Sequence, residues 1–287
     1  MEQLNVHIFG LYNTGTNLLQ EVLHVCFPSA SICPDTRFSI DLGRMSCARR
    51  KPHLSKHTNP GIVRRWLNWS TTQDIHGIMM VRDPFANLAS IRKNPYDLKH
   101  CAGTHRWLAK RCVCTASMQR LDQICEPNQR SFASLVDVWA VYTTRYLSIA
   151  REANQTAGPY RGIVRYEDLV MNTRALVRSL GDRFGVPPRL DGLERVLRRN
   201  AKTSFRRSSR DAAGKDKYMR TFTKSQLSGV CKQLDSNVLE ELQYGRECAR
   251  HSVHRNSPAP ASPHTPVEMP MAPVEMPMAP VEMPMAP

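Results

Sequence analysis

The sequence predicts an α/β protein with a central parallel β-sheet flanked by helices, and three observations predict it. Apolar runs at 5–9, 75–81 and 162–166 have the length of buried strands rather than of helices. Between them lie stretches with apolar residues at helical spacing, and strands separated by helices need crossover connections, which run the strands parallel and cover the sheet on both faces. The first strand leads straight into a loop bounded by Gly10 and Gly15, and ligands of parallel sheets sit at the carboxyl ends of the strands.

Taken in order, the 5–9 strand and the 10–15 turn precede a helix that carries Leu18, Leu19, Val22, Leu23 and Cys26 on one face. Asn59-Pro60 reads as a helix start with proline at the first position, continuing to Trp69. After the 75–81 strand, Asp83 caps and Pro84 opens a helix that carries Leu88 and Ile91. Residues 93–130 form a Cys-, His- and Arg-rich insertion. Ser131 is then the candidate cap of a long helix with Leu135, Val138, Trp139, Tyr142 and Tyr146. A helix over 173–184 should stop at Gly185, with shorter ones over 189–199, 224–234 and 236–243.

Residues 1–256 are long enough for one catalytic domain with a sizeable core. Residues 266–286 are three copies of Pro-Val-Glu-Met-Pro-Met-Ala, and ten of the twenty prolines lie in 257–287, so this tail is expected to be extended and disordered. It holds three glutamates and no Lys or Arg, so the formal +15 of the whole chain becomes +18 for residues 1–256. Such a charge concentrates anions without choosing among nucleotides, anionic glycans, nucleic acid and acidic membranes. No apolar run reaches membrane-spanning length and the start lacks the pattern of a signal peptide, which reads as cytoplasmic. Nine cysteines and the sequons at Asn68 and Asn154 fit a Golgi or other secretory lumen instead, if the native N-terminus is longer.

The loop Gly10-Leu-Tyr-Asn13-Thr14-Gly15-Thr16-Asn17 has the length of a phosphate-binding loop, whose glycines let backbone N–H groups converge on an anion. It lacks the Gly-Lys-Ser/Thr ending, which disfavours an ATP or GTP enzyme. Spacing alone also fits an ordinary strand-to-helix turn. Arg82 and Ser90 stand eight positions apart across the second strand-to-helix junction, where a guanidinium fork and a hydroxyl suit a phosphate. Later come Phe205-Arg206-Arg207, Tyr218 and Phe222-Thr223, and earlier Lys51-Pro-His53-Leu54 with His57 close behind.

In that order these segments resemble the sulfotransferases that use 3′-phosphoadenosine 5′-phosphosulfate (PAPS). The first loop is similar to their 5′-phosphosulfate loop, with Thr14, Gly15 and Thr16 matching and Asn13 standing where the family has Lys or Arg. Arg82 and Ser90 match the 3′-phosphate segment, and Arg206 and Arg207 match the late basic segment, where Ser208 replaces a glycine and 209–216 lengthen the loop. The Arg165-Tyr-Glu-Asp-Leu169 run resembles a family signature that reads as structural support. The resemblance spans residues 5 to about 225 and implies a P-loop-like sulfotransferase architecture.

It also implies a chemistry. In Lys-x-His-Leu, histidine deprotonates the acceptor hydroxyl and lysine stabilises the leaving group, which assigns His53 and Lys51, with His57 the rival base and Glu21 another candidate. The reaction implied is in-line sulfuryl transfer to a hydroxyl on a small molecule or a carbohydrate, an anionic glycan suiting the basic surface. Cys101, His105, Cys112, Cys114 and Cys125 are zinc ligands by type, but their spacing is no repeated Cys-x-x-Cys; disulfides or unlinked thiols fit better, and no metal is predicted. Two other readings stand beside the enzyme. One is a nucleotide- or glycan-binding protein of the same fold with weakened turnover, which Asn13 motivates. The other is a basic nucleic-acid-binding module, for which no basic helix or zinc-finger spacing is present, so no nucleic acid is expected.

Overall fold

Four strands, Asn5–Gly10 (β1), Ser31–Cys33 (β2), Ile75–Val81 (β3) and Arg161–Arg165 (β6), form an all-parallel sheet in the order β2-β1-β3-β6. The computed structural model describes residues 4–33, 57–69, 75–104, 106–119, 124–126, 128–153, 155, 159–200 and 218–252. All of them belong to one unit, Met1–Val253. The 257–287 repeat tail lies outside the described residues.

Both faces of the sheet are buried, as the near-continuous apolar strands require. Val6, Ile8, Ile78, Met80 and Val164 point to one face, where Leu19, Val22 and Leu23 of α1 (Thr16–Cys26), Val177 and Leu180 of α8 (Thr173–Phe184) and Val196 of α9 (Leu193–Asn200) cover them. Phe9, Met79 and Val81 point to the other, against Val63 and Leu67 of α2 (Pro60–Trp69), Phe85 and Leu88 of α3 (Pro84–Lys93) and Trp139 and Tyr142 of α6 (Leu135–Ala153). The helix after β1 therefore lies on one face and the helix after β3 on the other. β1 and β3 are neighbours in register, Gly10 opposite Met80. Their carboxyl ends thus frame the point where the winding reverses, the crevice in which open α/β sheets bind ligands.

Local chemistry sets several of these boundaries. The Asp83 carboxylate accepts the Ala86 N–H at 2.9 Å with Pro84 at the first helical position, and Gly185 ends α8 at φ 66°. The long helix departs from the sequence reading. Ser131 lies in a two-residue strand, β5 (Ser131–Phe132), antiparallel to β4 (Cys112–Val113), so it cannot cap. Ser134 takes that role, its hydroxyl accepting the Asp137 N–H at 3.1 Å. β2, the helix α7 (Tyr166–Met171) and a last helix, Gly245–Ser252, have no counterpart in the sequence reading.

The cysteines of the 93–130 insertion pair as Cys101–Cys112 and Cys114–Cys125, where the sequence left zinc, disulfides and free thiols open. His105 lies outside the described residues. A third disulfide, Cys231–Cys248, ties Lys224–Gln233 to the last helix. That C-terminal pair of helices, with Ser236–Glu241 between them, docks on the corner after β6. The Tyr244 hydroxyl donates to Glu167 at 2.7 Å, and Arg165 donates to the Leu242 carbonyl at 2.8 Å and the Gln243 side chain at 2.9 Å. The same Arg165 forms a bidentate pair with Asp168, 2.7 and 2.8 Å, so the Tyr-Glu-Asp-Leu run is a fastening between the sheet and the C-terminal helices.

Closing a loop of this size in the unfolded chain by a disulfide stabilises the fold by about 3 kcal/mol. The Cys231→Ser/Cys248→Ser variant is therefore expected to melt about 6–12 °C below the parent by calorimetry. A variant that melts with the parent would show that the C-terminal helices are held by their other contacts alone.

Candidate functional site

The loop at the β1–α1 junction turns through two residues at positive φ, Asn13 at 61° and Gly15 at 91°. Its closure is internal. The Thr14 hydroxyl and N–H both donate to the Leu11 carbonyl, at 2.7 and 3.3 Å, and Asn87 of α3 donates to the Tyr12 carbonyl at 2.9 Å. Gly15 packs so closely on the ring of Tyr166 that a Cβ there would stand 2.4 Å from ring carbon Cδ2. Helix α1 begins at Thr16 without a side-chain cap and without an acidic residue in its first turn, so its own first turn does not compensate its N-terminal dipole.

Arg82 follows β3 directly and reaches across to this loop. Its Nη1 donates to the Asn13 carbonyl at 2.9 Å and to the Ser90 hydroxyl at 3.1 Å, and its Nη2 to the Tyr218 hydroxyl at 3.1 Å. The guanidinium lies 4.3 Å from the centre of the Tyr166 ring and 5.3 Å from that of Tyr218. Trp139 fixes its backbone, donating from the indole to the Arg82 carbonyl at 3.0 Å. The residue is only 6% exposed, yet among the described residues no carboxylate comes within ion-pairing distance, and its Nε–H is buried without an acceptor. Among the described residues, neutral hydroxyls, a carbonyl and aromatic faces are what meets the charge. Nearby, burial raises the pKa of the Tyr166 phenol well above its ordinary value while the charge of Arg82 pulls it down.

The carboxylate next to Tyr166 in sequence is already committed. Glu167 accepts the Asp83 N–H at 3.1 Å with one oxygen and the Tyr244 hydroxyl with the other, holding the turn after Arg82 rather than the guanidinium itself.

His57 sits at the end of β1. Its Nδ1 is 2.8 Å from the Gly10 carbonyl, and since a carbonyl only accepts, Nδ1 carries the proton and Nε2 is the basic nitrogen of the neutral ring. Tyr142 donates to the His57 carbonyl at 3.1 Å, and the Tyr12 ring packs against the imidazole at 4.5 Å. Tyr12 in turn donates to Asp97 at 2.8 Å and stacks on Tyr96.

Of the residues singled out in the sequence, Asn13, Thr14, Gly15, Thr16, Arg82, Ser90 and His57 converge on this crevice, and Asn17 is exposed in the first turn of α1. The Asn13 side chain donates to the Asn94 carbonyl at 3.1 Å. Lys51, His53, Arg206 and Arg207 lie outside the described residues. Glu21 is ion-paired to Arg199 of α9 at 2.7 Å, on the side of α1 that faces that helix. Tyr166, Tyr218, Trp139 and Tyr12 complete the site and were not assigned to it from the sequence. Three of them, Tyr12, Tyr166 and Tyr218, stood inside recognised segments, but nothing in a linear pattern says that the last two rings meet Arg82.

No protein-family model matches the chain, and no curated protein is significantly similar to it. Among solved structures, the chain is similar to the crystal structure of mouse sulfotransferase SULT7A1 complexed with PAP, at 16% sequence identity and a TM-score of 0.48, over 88% of this chain and 90% of that chain.

Proposed function

We propose that the crevice between β1 and β3 binds PAPS and that the protein transfers its sulfuryl group to an acceptor hydroxyl. The observation that supports this reading is Arg82. Burying a guanidinium costs several kcal/mol unless an opposite charge offsets it, and the described residues supply none. An anionic ligand balances that charge, and the 3′-phosphate of PAPS is the anion that the Arg82–Ser90 spacing implies. The uncapped start of α1 then faces the 5′-phosphosulfate.

In this reading the acceptor oxygen attacks sulfur, its proton passes to Nε2 of His57, and the bond from sulfur to the phosphate oxygen breaks to leave adenosine 3′,5′-bisphosphate. Positioning and neutralisation of the leaving oxygen carry most of the rate, by analogy with phosphoryl transfer. Lys51, Arg206 and Arg207 are the further cations we assign to donor and leaving group, and His53 is the alternative base. The three disulfides among the described residues favour an oxidising compartment such as a secretory lumen over the cytoplasm. Among the described residues no helix is long and apolar enough to cross a membrane.

A second reading has one observation in its favour. Asn13 occupies the family's cationic position and spends its amide on the Asn94 carbonyl, which fits a protein that binds the nucleotide with little turnover. Incubation with ³⁵S-labelled PAPS and a set of saccharide and phenolic hydroxyl acceptors separates the two. Label transfer that falls about 100-fold or more in His57→Ala is expected for the enzyme with His57 as base. Transfer unchanged in that variant moves the base to His53, and nucleotide binding without transfer leaves the binding protein.

A further inference from the structure

We propose that the lobe formed by residues 92–111 is a docking surface for an acidic polysaccharide, with Tyr96 stacking on a sugar ring at its inner end. The proposal rests on the sulfuryl-transfer reading where it takes that polysaccharide to be the acceptor; the binding itself stands independently.

Charge is the first observation. Residues 92–111 hold six Lys or Arg and one acidic residue, Asp97, whose carboxylate is occupied by the Tyr12 hydroxyl. All six cations are exposed. Some exposed arginines elsewhere find carboxylates, as in Arg64–Glu152, Arg151–Glu241 and Arg174–Glu194. Among the described residues none of the six in this lobe has one within ion-pairing distance. Lys110 donates instead to the His100 carbonyl, and the Arg92 guanidinium lies 5.0 Å over the buried ring of Trp107. The Cys101–Cys112 disulfide closes the part of the lobe that carries Arg106, Lys110 and Arg111, so the backbone that presents these three is held before any partner arrives.

Tyr96 is the second and independent observation. The residue is 59% exposed and its backbone sits at φ 47°, a left-handed conformation that costs a bulky residue free energy and is retained chiefly at functional positions. The ring stacks on Tyr12 at 4.8 Å and 26°, and Tyr12 packs on His57. An aromatic face open to solvent therefore stands two rings from the basic nitrogen, at the end of the lobe that touches the loop through Asn13 and Asn94.

Ring and charge together choose the partner. A saccharide unit offers an apolar C–H face for the tyrosine, carboxylate or sulfate groups for the lobe, and hydroxyls for transfer along its length. A nucleic acid duplex has its bases already stacked, and an acidic peptide offers hydroxyls only where its sequence provides them.

Fluorescence polarisation of the full chain tests this, with labelled heparin hexasaccharide and oligogalacturonate as sulfated and carboxylated probes. A dextran oligomer serves as the uncharged control, and polyglutamate and a short DNA duplex as rival polyanions. Arg106→Glu/Lys110→Glu/Arg111→Glu should weaken saccharide binding by about ten-fold or more, and the saccharide affinity of the parent should fall steeply with salt. Tyr96→Asn, which keeps the left-handed backbone at low cost, should weaken it by about three- to ten-fold through loss of the ring. Reversing three exposed arginines elsewhere, Arg178, Arg195 and Arg198, should change it less than about two-fold if the lobe rather than net charge binds. Equal loss in that control overturns the proposal, as do tighter binding of DNA or polyglutamate than of either saccharide and the absence of saccharide binding. Adenosine 3′,5′-bisphosphate binding is measured on every variant: its failure with saccharide binding intact strikes the nucleotide reading, and the reverse strikes this one.

Discussion

Arg82→Met should lose about 100-fold or more of its affinity for adenosine 3′,5′-bisphosphate while folding as stably as the parent, or more stably. The two halves of that expectation come from the same fact. A buried cation met, among the described residues, by the Asn13 carbonyl, two hydroxyls and aromatic faces alone is a liability in the unliganded protein, and an apolar side chain of similar length in such a position is often neutral or stabilising. Once a phosphate is bound, the same guanidinium forms a buried charge-assisted pair whose loss costs about 2–5 kcal/mol. A structural arginine behaves oppositely: its removal lowers the melting temperature first and ligand affinity only as a consequence. Titration calorimetry and thermal denaturation of the one variant therefore distinguish the roles. Arg82→Lys should recover little, since a point charge lacks the fork that meets Ser90, Tyr218 and a phosphate together.

Gly15→Ala is expected to lower stability by about 2–4 kcal/mol and to weaken the nucleotide site with it. The left-handed backbone at φ 91° costs an L-residue about 1–2 kcal/mol. The added methyl would stand 2.4 Å from Tyr166 Cδ2, so the ring has to move. That ring flanks the Arg82 guanidinium, which is why a change in the loop should reach the phosphate site. The double variant Gly15→Ala/Tyr166→Leu removes the clash and keeps the backbone cost, so its melting temperature should lie between those of the parent and Gly15→Ala. A Gly15→Ala protein that melts with the parent and binds nucleotide equally would mean that the loop does not keep this conformation in solution.

The parts of the fold that were legible in the sequence are those fixed by local chemistry. Asp83-Pro84 names a helix start because a carboxylate and a preset φ act on their own neighbours, and Gly185 names a helix end because few other residues take its φ. β1 and β3 were readable as buried strands because both faces are covered. What escaped depends on partners distant in sequence. β2 is three residues of ordinary composition that become a strand only by pairing with β1. Ser131 and Ser134 are equally good caps by type, and pairing of Ser131 with Val113 decides between them. Tyr166 opens a helix rather than closing a strand because Arg165 turns to meet Asp168.

The site divides in the same way. Arg82 and Ser90 were found from an eight-residue spacing along one strand-to-helix junction, and they do meet. Tyr218 meets Arg82 from 136 residues away and Trp139 from 57, and no period or motif records such encounters. His57 entered as a rival to His53 from proximity in sequence. Its bond to the Gly10 carbonyl, which leaves Nε2 as the basic nitrogen of the neutral ring, belongs to the folded chain alone.

The most direct test of the central claim is calorimetric titration of the protein with adenosine 3′,5′-bisphosphate beside adenosine 5′-phosphate. If Arg82 and Ser90 hold a 3′-phosphate, the bisphosphate binds at least about 100-fold more tightly than the monophosphate, the worth of a buried charge-assisted pair. Equal affinity for the two nucleotides, or no binding of either by folded protein, would contradict it.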